Sequence, residues 1–250
     1  MRNRDTGTVP TGTVPMRLTT PVAGACVWLL DLRHEPNAEA WQACQANEHE
    51  RAARFRFALH ARRYRAAHAS MRQVMAAHLG LALQDWAWQA GEHGKPHCVV
   101  ARHGHFNLSH NEDWALLAWH PDMPVGVDIE WHQAIPDLDG LAASYFTSAE
   151  QAWMCEVDAA AERATRFYRL WSAKEAALKA LGSGLLVAPQ RVEVDMRQGR
   201  GATHIDLGPA DARAAGSRCR LTVTEVALPE GLQAQAAMAV VAPGDQSLCW

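Results

Sequence analysis

The six residues Val125-Gly126-Val127-Asp128-Ile129-Glu130 leave the backbone few options. β-Branched residues at alternate positions favour an extended chain, and side chains on a strand point alternately to its two faces. Val127 and Ile129 then face a core. Asp128 and Glu130 share the opposite face, with Cα atoms about 6.6 Å apart at about 3.3 Å per residue. Two carboxylates held so close repel each other unless a cation sits near them. Hard oxygen ligands on a rigid strand suit Mg²⁺, which commonly takes one or two carboxylates together with phosphate oxygens. A half-buried strand with a solvated acidic face fits the same residues.

The pattern on either side sets the fold class. Residues 22–30 read as a first strand, and residues 38–79 as two or three helices, the second half from Arg63 to Leu79 rich in Ala, Arg and Met and stopped by Gly80. Short strands are expected at 86–89, 98–101, 114–119 and 125–130. The last two, either side of Pro121-Asp122-Met123-Pro124, read as a hairpin or as consecutive strands. Thr147 with Glu150 three residues on is a capping box. A helix is expected over 161–181, with Phe167, Leu170, Trp171, Leu178 and Leu181 on its apolar face and Gly182-Ser183-Gly184 ending it. Strands return at 191–195, 219–228 and 235–241. This order predicts an α+β fold with mostly antiparallel sheet, in two similar halves hinged near Pro121 to Pro124.

Three further features carry chemistry. Glu175 and Lys179 lie four apart on one helical face, where an exposed pair contributes only about 0.2–0.5 kcal/mol. Glu175 could complete a carboxylate set and Lys179 could meet a phosphate; a solvated helix edge accounts for both equally well. Residues 51–72 hold seven arginines and no Asp or Glu, with Phe55, Phe57 and Tyr64 interleaved. Such a run can bind phosphate or nucleic acid, or simply be a solvated surface. Gly94-Lys95-Pro96 reads as a turn carrying a lysine. Phe106-Asn107-Leu108-Ser109-His110 sets a hydroxyl and an imidazole at a strand end, without the G-x-S-x-G of a serine hydrolase. His103 and His105 read as loop residues.

Bulk properties exclude some classes. The net charge of -3 over 250 residues argues against a nucleic-acid partner. No apolar run approaches the roughly 20 residues that span a bilayer. Six widely spaced cysteines suit a reducing, cytoplasmic setting better than disulfides or zinc. Residues 1–20, with the repeat Thr-Gly-Thr-Val-Pro twice over, read as a disordered tail, and Met16 offers an alternative start.

Taken together, Arg63, Gly94-Lys95-Pro96, Phe106-Asn107-Leu108-Ser109-His110, Gly126-Val127-Asp128-Ile129-Glu130 and Trp171-Ser172-Ala173-Lys174-Glu175 through Lys179 and Gly182 resemble the Sfp-type 4′-phosphopantetheinyl transferases over about residues 45–190. The resemblance implies a monomeric pseudo-dimer with halves at 21–122 and 123–250, which binds coenzyme A between them. Asp128, Glu130 and Glu175 would hold Mg²⁺, or Mn²⁺ in its place. Arg51, Arg63, Lys95, Pro96, Ser109 and His110 would meet the nucleotide, and Lys179 the pyrophosphate. Glu175 or Glu150 would be the base, with Lys179 assisting. The implied activity is transfer of the 4′-phosphopantetheine arm to a serine of an apo acyl or peptidyl carrier protein. A metal-dependent phosphodiesterase or nuclease, or a nucleic-acid-binding module using the 51–72 helix, are the rival classes. Glu48 and His49 stand where the family often has another basic residue, which puts one phosphate contact in question. Asn111 departs from the commoner serine or glutamine, with little effect expected.

Overall fold

The structure is a computed structural model describing residues 15–91, 93–99, 104–183, 187–197, 200–206, 218–246 and 249. Its first sheet runs β1 (Met16–Leu18), β2 (Cys26–Asp31), β6 (Trp114–His120), β5 (His105–Asn111) in spatial order. A second sheet runs β7 (Val125–Trp131), β11 (Ala234–Val241), β10 (Arg218–Glu225), β9 (Arg200–Asp206), β8 (Val192–Glu193). β3 (Trp88–Ala90) and β4 (Pro96–Cys98) form a separate hairpin. Among the described residues every pairing is antiparallel, and with α-helices packed on the sheets the class is α+β, as expected.

Strand alternation builds four layers. Cys26, Trp28 and Leu30 of β2, with Ala115 and Leu117 of β6, pack beneath α3 (Ala58–Leu79). Their alternates Val27, Leu29, Leu116 and Ala118 face Val125, Val127, Ile129 and Met238 of the second sheet. The far side of that sheet, including Leu221, Val223, Ala237 and Ala239, is covered by Phe167, Leu170, Ala173 and Ala177 of α6 (Ala160–Leu181). Both long helices stop at a glycine in the left-handed region, Gly80 (φ 68°) and Gly182 (φ 82°), where a Cβ would be strained. Smaller helices fill the ends. α1 (Ala38–Gln42) is capped by Asn37, and α2 (Ala46–Ala53) by a Gln45/Glu48 box. α4 (Leu138–Tyr145) precedes α5 (Ser148–Met154), which starts on the expected Thr147/Glu150 box.

Several expectations are corrected. Met16–Leu18, inside the expected tail, pairs with β2 in register Met16↔Leu29. β6 and β7 are not a hairpin: the Pro121 to Pro124 turn carries the chain from one sheet to the other. β9 went unseen because its polar, glycine-containing sequence lacks apolar alternation. β3 and β4 sit a few residues from their expected places, and β8 and β10 are shorter than expected. The repeat through Val14, His103 and Gly184 lie outside the described residues. None of the six cysteines is in a disulfide. Among the described residues, no helix is long and apolar enough to cross a membrane.

Candidate functional site

The site forms where the edge strands of the two sheets meet. A sheet edge presents backbone groups with no ladder partner, and these need bonds from elsewhere when buried. Asn107 of β5 meets that need for β7: its buried Oδ1 accepts from the Val127 amide at 2.9 Å. Every second residue of β5 then reaches the same neighbour. Ser109 Oγ donates to Asp128 Oδ1 at 3.0 Å. Asn111 Nδ2 donates to Glu130 Oε2 at 2.5 Å. Asn111 therefore holds one of the expected metal ligands, contrary to the small role its sequence departure suggested.

α6 closes the other side. A Cβ on Gly126 would lie 2.1 Å from the Ala176 carbonyl oxygen and 2.3 Å from the Ala180 amide nitrogen, so the helix rests directly on the strand backbone. Trp171, Glu175 and Lys179 follow one another at one-turn intervals along this face. Trp171 Nε1 donates to Glu130 Oε1 at 3.2 Å. Lys179 Nζ reaches Asp128 Oδ1 at 2.5 Å and Ser109 Oγ at 3.0 Å. Lys179 is thus engaged with Asp128, while Glu175 lines the adjacent cavity.

Charge is concentrated here beyond what the lysine neutralises. Asp128 is 2% exposed, and its Oδ2 is buried with no hydrogen-bond partner. A buried carboxylate oxygen left bare costs a substantial desolvation penalty. Burial pushes the Glu130 carboxyl up to about 7, with the Asp128 charge adding and Lys179 and Trp171 opposing. Burial also raises Glu175, against the pull of Lys179 and with a further push from Asp128. Each effect would be relieved by a divalent cation among the three carboxylates, so the donor set fits one chemically. Among the described residues, however, no three acidic, histidine or cysteine side chains stand assembled as a metal cage; Lys179 occupies part of Asp128's coordination space.

A cavity of about 720 Å³ opens beside the cluster, between the β3–β4 hairpin and α6. Lys95, Pro96, Asn107, Glu175 and Lys179 line it, with Leu108, Tyr145, Trp171 and Leu178 supplying apolar wall. Lys95 Nζ donates to the Ala180 carbonyl near the end of α6. Its pKa is pulled down to about 8 by burial, opposed by nearby Cys249 and Cys219. His110 follows Ser109 on β5. Loss of water around its ring lowers its pKa, and the charges of His68, Lys179, Arg63 and His60 lower it further.

The arginine-rich stretch is less bare than its sequence suggests. Arg63 pairs with Glu112 and Asp113, both at 2.8 Å. Arg65 meets Glu35, Arg54 meets Glu50, and buried Arg72 meets buried Glu48 at 3.3 Å. Arg51 is exposed and lies over the Phe55 ring at 5.5 Å. Acids from other segments thus balance most of the run. Glu48 is not a vacant phosphate position but a core anchor, also bonded to His68 at 2.6 Å. Glu150 does not join the cluster. It is 4% exposed and occupied by its own capping bond, the Val194 amide and Lys174.

Comparison with known proteins identifies the family. Residues 124–230 match the 4′-phosphopantetheinyl transferase superfamily, and residues 33–122 match the 4′-phosphopantetheinyl transferase N-terminal family. Over 179 residues the chain is 31% identical to a phosphopantetheinyl transferase of Thraustochytrium sp., covering 66% of this chain and 62% of that protein. It is 30% identical over 181 residues to the mouse L-aminoadipate-semialdehyde dehydrogenase-phosphopantetheinyl transferase, covering 68% and 55%. It is 34% identical over 134 residues to the 4′-phosphopantetheinyl transferase psf-1 of Bacillus pumilus, covering 54% and 56%. The matched region thus spans roughly three-fifths or less of these relatives' lengths. Two adjoining family matches that together run from residue 33 to residue 230, and relatives about 30% identical over two thirds of the chain, place this chain in the 4′-phosphopantetheinyl transferase superfamily.

Proposed function

We propose that the chain transfers the 4′-phosphopantetheine arm of coenzyme A to a serine of an apo acyl or peptidyl carrier protein, releasing adenosine 3′,5′-bisphosphate. The observation that carries this reading is the partnerless buried oxygen of Asp128, with Glu130 and Glu175 nearby and a cavity lined by Lys95 and Lys179 alongside. Asp128, Glu130 and Glu175 would hold Mg²⁺, with Mn²⁺ able to replace it. Bound there, the ion would neutralise charge on the leaving diphosphate. Lys179 turns from Asp128 toward the diphosphate, and Lys95 supplies a second cation. Arg63, fixed by Glu112 and Asp113, stands with His110 and Ser109 on the nucleotide side; Arg51 and Pro96 border it. Glu175, facing the cavity with a raised pKa, takes the proton of the carrier serine as its oxygen bonds to phosphorus and the bond to the nucleotide breaks. Asn111 and Trp171 keep Glu130 oriented. The halves at 21–122 and 123–250 act as one monomeric, cytoplasmic unit that needs neither nucleic acid nor membrane.

Intact-mass measurement of an apo-carrier panel incubated with coenzyme A and Mg²⁺ tests this. A gain of one phosphopantetheine supports transfer; hydrolysed coenzyme A beside unmodified carriers would show a phosphodiesterase instead. Lys95 gives a pH signature. It carries its charge only below about 8, so the KM for coenzyme A should rise as pH passes through that value. The expected rise is roughly tenfold, about 1.4 kcal/mol of binding. The rise should vanish in Lys95→Met; a wild-type KM that stays level removes Lys95 from the phosphate contacts.

A further inference from the structure

Glu150 and Lys174 form a buried ion pair outside the carboxylate cluster. They are 4% and 2% exposed and stand 2.7 Å apart. An ammonium has three donors, and Lys174 uses all of them: Glu150 Oε2, the Pro189 carbonyl at 2.9 Å and the Val192 carbonyl. Glu150 is equally committed. Its Oε1 accepts from the Val194 amide at 2.8 Å, and its Oε2 from the Thr147 amide at 2.8 Å. Three of these bonds fasten the 189–194 segment or the start of α5 to α6, and the Val194 bond ties that segment to α5. Val187 and Pro189 form part of the wall of the 720 Å³ cavity, on which Glu175 also fronts. Glu150 does not front it; it edges only a space of about 100 Å³ with Trp153 and Met196.

We propose that Glu150 and Lys174 are a positioning pair that fixes the Val187–Pro189 wall of the cavity against α6, and that Glu150 takes no proton from the substrate. This rests on the transferase reading above. The physical reason is placement. A carboxylate that is 4% exposed, bound by three partners and off the wall of the cavity is held out of reach of a reactant there. The adjacent residues Lys174 and Glu175 then divide the work: one anchors the wall from inside the core, the other faces the substrate.

The test uses Glu150→Gln, Lys174→Met and the double variant of the full chain. Each single change leaves one buried charge uncompensated, whereas the double change removes both, which is often tolerated. Each single variant should raise the KM for coenzyme A roughly tenfold while kcat stays within about threefold and its pH profile is unmoved. Amide hydrogen exchange over residues 187–194 should quicken by about tenfold or more without any ligand. The double variant should recover most of both effects. A fall in kcat of about 10³-fold in Glu150→Gln with KM unchanged, not rescued by Lys174→Met, is the behaviour of a general base and overturns the proposal. Unchanged exchange in both single variants overturns it as well. Exchange needs no substrate, so it still decides if the wild-type protein modifies no carrier, a result that would sink the transferase reading instead.

Discussion

Asp128→Asn is expected to lower kcat/KM for carrier modification by roughly 10³-fold or more, about 4 kcal/mol of transition-state stabilisation. Asparagine keeps the shape and an acceptor for Ser109 Oγ, but removes the charge that Oδ2 brings into a buried space. Lys179, whose side chain is 30% exposed, can turn to water once its partner is neutral, so the fold should survive with a thermal midpoint within a few degrees of wild type. Intact mass of the carrier and a thermal melt measure the two halves of the expectation. Turnover within tenfold of wild type at limiting magnesium would exclude Asp128 as a ligand, and with it the arrangement on which the proposed chemistry rests.

The second large effect concerns Gly126, which touches no substrate. A methyl there meets backbone atoms of α6 at 2.1 and 2.3 Å, and backbone cannot rotate aside as a side-chain tip can. The helix must lift by about an ångström or more, which costs roughly 3 kcal/mol in an interior packed this closely. At about 2–4 °C per kcal/mol for a chain of this size, Gly126→Ala should melt some 6–12 °C lower. The same lift carries Glu175, Lys179 and Trp171 away from Asp128 and Glu130. Activity should therefore fall further than the loss of folded protein explains, even at temperatures where the variant is fully folded. A melting point within about 2 °C of wild type would mean that α6 does not rest on β7 as described.

Local pattern carried much of the fold and part of the site. The two-residue period of Val125 to Glu130 predicts which face is buried, and β7 presents Val127 and Ile129 to the core between the sheets, with Asp128 bonded to Lys179 of α6 and to Ser109 at the edge of the other sheet. The Thr147/Glu150 box and Gly182 mark helix ends that the structure keeps. Partners remote in sequence were not legible. Arg63 looked unopposed because its acids lie 49 and 50 positions on, in the β5–β6 turn. Nothing within α6 signals that the 189–194 carbonyls come to meet Lys174. Asn111 was dismissed for the same reason: its bond to Glu130 exists only because two sheet edges are brought side by side. Periodicity and capping are properties of one segment, whereas these bonds depend on tertiary approach. Glu150 is the instructive case, since its capping bond was visible in sequence and already committed the carboxylate that resemblance offered as a base.

The layer shared by the two sheets has a consequence of its own. Each long helix is fastened to its own sheet, but the gap between the Arg63 side and the carboxylate side is set by the one stratum they hold in common: Val27, Leu29 and Leu116 against Val127, Ile129 and Met238. Conservative exchanges of methyl groups in that stratum would shim the cleft wider or narrower while leaving both helix–sheet cores untouched. Such a molecule can be refitted to bulkier or slimmer donors far from any residue that touches them.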